Sequence, residues 1–176
     1  MDIGTHFLTG VAIGATVTNE PSQLVICGLL AVAPDLINGI PSHAYLLWKK
    51  RKEIARFGFN KALKVGTLER WKEVPQFFGW LYELLHSVWL TAALVWLLWI
   101  WLGPIFGLAW ASHILIDLWS HKEKTDFKYI SSIMPFFPFS KWSWPWAISW
   151  PDYLWLSPIL MLVLVLYIIW QLFIGH

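Results

Sequence analysis

A chain of 176 residues sets a single domain as the default. Hydrophobic residues make up 57% of it and charged residues 14%, with 15 Trp, against roughly 25% charged in an ordinary soluble domain. Together with a mean hydropathy of +0.55 this composition excludes a soluble globular protein. The net charge of +2 leaves no electrostatic footprint for nucleic acid, and the single Cys27 excludes an intrachain disulfide and thiolate zinc motifs.

The pattern predicts an all-α, polytopic membrane bundle with five main apolar helices. The N-terminal "MDIGTHFLTG" has an acid and no base ahead of its apolar run, unlike a signal-peptide n-region, so the first segment is expected to be retained. Helix one is predicted over Thr5–Thr18, with Gly10, Ala12, Gly14 and Ala15 permitting close helix approach. A turn at Asn19–Ser22 leads to helix two, over Gln23–Leu36. Both are short for a span of about 20 residues, which suits an inserted hairpin. Helix three is predicted over Phe77–Leu102. Gly103-Pro104 breaks the apolar run, and helix four follows over Ile105–Ser120. The stretch Tyr153–Gly175 has no Asp, Glu, Lys, Arg or His, and a last spanning helix is predicted over Tyr153–Phe173. The whole is one membrane-embedded domain, 1–176, with a polar core over about 1–150 and a C-terminal helix over about 153–174.

Two long connections carry the positive charge. Residues 37–75 contain a short apolar piece, "HAYLLW", then Lys49, Lys50, Arg51 and Lys52; from Lys49 to Glu73 there are nine Lys or Arg and three Glu. Residues 122–152 carry Lys122, Lys124, Lys128, Lys141 and the tract "PFFPFSKWSWPWAISWP", where Pro prevents regular helix and Trp suits a membrane–water interface. The positive-inside rule places both in the cytoplasm. The basic cluster Lys49–Lys52 is then a topology signal and a contact for anionic lipid headgroups.

On this topology the ionisable residues of the apolar segments gather at one end. His6 opens helix one, Asp35 ends helix two, Glu83 and His86 lie early in helix three, and His113, Asp117 and His121 lie late in helix four. His113, Asp117 and His121 recur every fourth residue and share a face, each step rising about 6 Å. His113 and His121, about 12 Å apart on a regular helix, are too distant to share one ion, so His121 implies a bend or a second ion. Intramembrane ionisable residues are costly and mark functional sites by default. Interhelical hydrogen bonding of the stripe is the plainer alternative.

"GTHFLTGVAIGA", "APDL", "LLHSVW" and "SHILIDLWSH", in that order, resemble the inner-membrane metal-dependent hydrolases of the LexA-regulated type, which are similar to zinc-dependent phospholipase C. The likeness spans about residues 4–150, and one branch adds a tract like Pro138-Phe139-Ser140 and Ile148-Ser149-Trp150. It implies His6, Asp35, His86, His113 and Asp117 as metal ligands, with His121 as a branch-specific addition. Two features depart from it. Ile37 stands at a second acidic position, and Leu81, Tyr82 and Leu85 precede His86-Ser87 where a His-containing run is common.

Taken together, the residues and the resemblance lead to the expectation of a membrane-bound hydrolase of phosphoesters. It would use Zn²⁺, or Mn²⁺ in second place, in an inner membrane with the site facing the cytoplasm. Asp35 or Glu83 is the candidate general base. A non-catalytic metal-binding or scaffold protein is the alternative. An ion or proton conduit fits less well, because a conduit needs polar residues along the full membrane depth.

Overall fold

A computed structural model describes residues 2–57, 73–120, 133–143 and 155–174. Among the described residues the secondary structure is entirely helical: α1 (Ile3–Ala15), α2 (Pro21–Lys49), α3 (Arg51–Phe57), α4 (Gln76–Leu85), α5 (Val88–Trp101), α6 (Pro104–Ser120) and α7 (Leu156–Phe173). Two of them, α2 and α7, are long and apolar enough to cross a membrane, and α4 with α5 makes a third span if the bent pair is one crossing. These features are those of a membrane helical bundle.

The centre is a three-helix packing of α1, α2 and α6. Asp2 caps α1 by accepting from Thr5 N at 2.9 Å. The small residues of α1 let its backbone reach α2: a Cβ on Gly10 would collide with the carbonyl of Cys27 and with Ala31. At the closed end of this packing Cys27, Ile105, Phe106 and Ala109 form an apolar cluster. The α5–α6 hairpin turns at Gly103, whose φ of +113° suits glycine and strains other residues. α7 lies against α1.

Two predicted elements differ. Helix two does not end at Leu36. It runs through Pro34 and Pro41 to Lys49 and includes "HAYLLW", so it is long enough for a full span and is not half of a short hairpin. Proline removes one amide donor and bends a helix, but apolar surroundings penalise unravelling the remaining backbone bonds. Asp35 therefore sits in mid-helix, not at a helix end. The helix continues nearly four turns, about 20 Å, beyond it.

Helix three is not continuous. It breaks at His86-Ser87 into α4 and α5, bent by 55°. Ser87 adopts an extended backbone and caps α5, accepting from Leu90 N at 3.3 Å while its hydroxyl donates to Leu84 O at 2.8 Å. The next amide, Val88 N–H, donates to Pro135 O at 2.8 Å. The segment from Ile133 to Ser140 thus substitutes for the missing helical turn. Helix four and the last helix lie where the sequence places them, within a few residues.

Candidate metal centre

Each ligand-type side chain reaches the centre by a local device. His6 enters from the second turn of α1 and is fully buried. His113 and Asp117, one turn apart on α6, are also buried. Asp35 projects from α2 and is the most open of the set, 24% exposed. His86 is the C-cap residue of α4, so the break in helix three is what carries it to the bundle interior. His6, Asp35, His113 and Asp117 offer ligand atoms that all lie within 4.8 Å of one another.

The separations among these atoms are those of donors around a common ion. His86 Nε2 and His113 Nε2 are 3.1 Å apart. Asp117 Oδ2 stands 3.2 Å from His113 Nε2 and 3.4 Å from His86 Nε2. Asp35 Oδ1 is 3.7 Å from His113 Nε2 and 3.9 Å from His86 Nε2. Asp117 Oδ1 faces the other way, 3.0 Å from His6 Nε2. Donors bound tetrahedrally at about 2.0–2.1 Å stand about 3.3 Å from each other.

The tautomers fix the chemistry. His86 Nδ1 donates to Tyr82 O at 2.8 Å, and His113 Nδ1 donates to Ala31 O at 2.7 Å. A nitrogen facing a carbonyl carries the proton, so each neutral ring presents its Nε2 lone pair to the centre. The two Nε2 atoms, 3.1 Å apart, share that centre with the carboxylates of Asp35 and Asp117. This backbone-to-imidazole support is how metal-ligating histidines are oriented.

His6 adds a second indication. It is fully buried, its ring stacks on that of His113 at 4.0 Å, and neither of its nitrogens has a hydrogen-bond partner among the described residues. Its Nε2 approaches Asp117 Oδ1 off the hydrogen-bond direction. A buried imidazole without partners costs stability, and a ligated ion removes that cost. The two carboxylates among these imidazoles supply negative charge that suits a divalent cation. The donor set of nitrogen and carboxylate oxygen therefore fits a divalent metal ion.

Glu83 stands apart from this constellation. It is buried, and its Oε2 accepts from Met134 N at 3.0 Å, holding the 133–140 segment against the break in helix three. His121 lies outside the described residues, as do Ile148–Trp150. Ile37 points away, 46% exposed, whereas Asn38 takes the inward position, 5% exposed. Sequence reasoning missed the carbonyls of Ala31 and Tyr82 and the inward Asn38. The Tyr82 partner was reachable, since a residue four before a helical His offers its carbonyl to that ring. No family model, curated protein or solved structure matches this chain.

Proposed function

We propose that this protein is a membrane-bound, metal-dependent hydrolase of phosphoesters, with zinc as its ion and manganese as a weaker substitute. The observation that carries the reading is the pair of buried Nε2 atoms 3.1 Å apart, both with lone pairs facing inward, with the carboxylates of Asp35 and Asp117 beside them. Asp117 faces His6 with one oxygen and His86 and His113 with the other, so together with Asp35 these residues would hold a divalent ion. When bound, such an ion polarises a phosphoryl oxygen and makes water acidic enough to act near neutral pH.

The chain's own residues divide the remaining work. Asp35, partly open, takes the proton of the attacking water. The water oxygen bonds to phosphorus as the ester oxygen departs, and the departing alkoxide leaves as the alcohol with that proton. The buried imidazoles and Asp117 hold the reacting groups without needing to reorganise.

The membrane supplies the substrate class. Trp48 is 61% exposed and carries Arg51 over its ring at 4.8 Å. Lys49 and Lys50 pair with Glu73, and with Arg51 and Lys52 this junction of α2 and α3 carries an excess of positive charge that suits contact with anionic headgroups on the cytoplasmic side of an inner membrane. A phosphoester in a lipid headgroup is the substrate best matched to a site at membrane depth.

Elemental analysis of protein purified in detergent tests the reading. At least one equivalent of zinc is expected, together with cleavage of phospholipid vesicles that stops on chelation and returns with zinc. Purified protein without stoichiometric divalent metal sinks it.

A further inference from the structure

One polar group next to the centre has no structural explanation. Asn38 sits in α2, three residues past Asp35. It is 5% exposed, and its Oδ1 is buried with no hydrogen-bond partner among the described residues. Buried amides are almost always paired, and an exception calls for a specific reason.

Its position supplies the reason. Residues three and four apart share a helix face, so Asp35, Asn38 and Ser42 form one stripe along α2, facing the bundle. Ser42 satisfies itself by donating to Gly39 O at 3.0 Å. Asn38 has no such outlet. One turn past Asp35 on its face of the helix the space is open: a Cβ on Gly39 would meet nothing within 4 Å. Asp35 is the partly exposed member of the cluster, at 24%. The stripe leads from the metal-binding cluster toward Lys49 and Lys50 at the end of the helix.

We propose that Asn38 is the headgroup-selecting residue of this site and takes a hydroxyl-bearing headgroup in preference to a quaternary ammonium; this rests on the hydrolase reading above. A carboxamide offers an acceptor at one end and a donor at the other. A hydroxyl pairs with either. A quaternary ammonium can neither donate nor accept a hydrogen bond, and it would leave Asn38 Oδ1 as unpaired as it is without ligand. A site that hydrogen-bonds a hydroxyl rejects analogues lacking it, because the buried partner is then stranded. The sequence feature is equally specific. At Ile37 an acid would face away from the centre, whereas the next residue faces in.

The test uses the full chain in detergent, loaded with zinc, with sn-glycerol 3-phosphate and phosphocholine as probes in calorimetric titrations. Wild type is expected to bind glycerol phosphate about tenfold more tightly than phosphocholine, the worth of one hydrogen bond at a buried polar group. Asn38→Leu, of similar volume, is expected to erase that difference, retain zinc and melt at the same or a higher temperature. A residue with only a structural role would melt lower on this change. Asn38→Ala gives the same loss of preference should the leucine variant fail to fold. Equal binding of both probes by zinc-loaded wild type overturns the assignment, as does a preference that survives both substitutions. Zinc content on the same samples separates the two readings: zinc present without preference overturns the Asn38 assignment alone, and zinc absent overturns both.

Discussion

The interior formed by α1, α2 and α6 and the outer helices α5 and α7 follow opposite rules. α5 buries no side chain and α7 buries only Ser157. Their surfaces are Leu, Ile, Val and Trp, as at Trp96, Trp99, Leu162 and Leu166. The interior holds the histidines, the carboxylates and the small residues that bring backbones together. In a soluble protein the apolar surface would be buried and the charges solvated. Here the apolar surface suits lipid, so packing and polar complementarity, not apolar burial, must define the core. Substitutions of equal size are therefore expected to have very unequal consequences in the two regions.

The largest contrast is expected at the cluster. His113→Ala removes a donor whose Nε2 neighbours His86, Asp35 and Asp117. Metal affinity should fall by more than about 100-fold, beyond the 10–100-fold typical of outer-shell partners. Leu162→Ala on α7, 59% exposed, should leave metal content unchanged. Elemental analysis of both proteins decides; equal metal in the two would remove the distinction between the regions.

Packing gives the next effect. Gly10→Leu forces a side chain into the Cys27 carbonyl and Ala31. Over-packing costs typically about 1–3 kcal/mol, and a clash with backbone belongs at the upper end. Gly39→Ala, where a Cβ meets nothing within 4 Å, should stabilise by up to about 1 kcal/mol through helix propensity. Thermal melts in detergent would show the two shifts with opposite sign.

A third, smaller effect concerns the join between the regions. Glu83 holds Met134 N–H, and Pro135 O takes Val88 N–H, so the 133–140 segment clamps the bend from which α5 departs. Glu83→Ala should cost about 1 kcal/mol by leaving the part-buried Met134 amide without this partner. It should also accelerate hydrogen exchange at Met134 well beyond that at α6. Unchanged exchange there would show that the clamp does not depend on the carboxylate.

These contrasts also explain what the sequence made legible. Charged residues are so rare in the apolar segments that His6, Asp35, His86, His113 and Asp117 stand out individually, and antiparallel helices bring them to one level. Helix boundaries were harder. Pro34 reads as a terminator in water, where freed carbonyls can be solvated, but α2 continues because its surroundings favour intact backbone bonds. The break at His86-Ser87 carries no Gly or Pro signal. It depends on a carbonyl supplied by Pro135, far away in the chain. Glu83 shares a helix face with His86, yet its partner is a backbone amide of that same distant segment. Side-chain chemistry could be read from residue types and spacing; backbone partners contributed by remote loops could not.

The smallest expected effect lies where α7 meets α1. Asp2 accepts from Thr5 N at 2.9 Å, from the Thr5 hydroxyl at 2.8 Å, and from the Ser157 hydroxyl at the start of α7. Partial burial opposes ionisation of Asp2, but the hydrogen bonds from Ser157 and Thr5 outweigh it and hold the carboxyl below its usual value. A carboxylate with a depressed folded-state pKa contributes stability above its unfolded pKa, about 3.9. That contribution disappears as pH falls through the lower folded value. Ser157→Ala should therefore cost about 1 kcal/mol or less near neutral pH, and the gap between wild type and variant should close below about pH 4. Melting curves of both proteins across pH 3–7 would show it. A gap that persisted at the acid end would mean that α7 is held to α1 by packing of Met161 on Gly4 rather than by the Asp2 carboxylate. The polar pin would then be a consequence of that contact and not its cause.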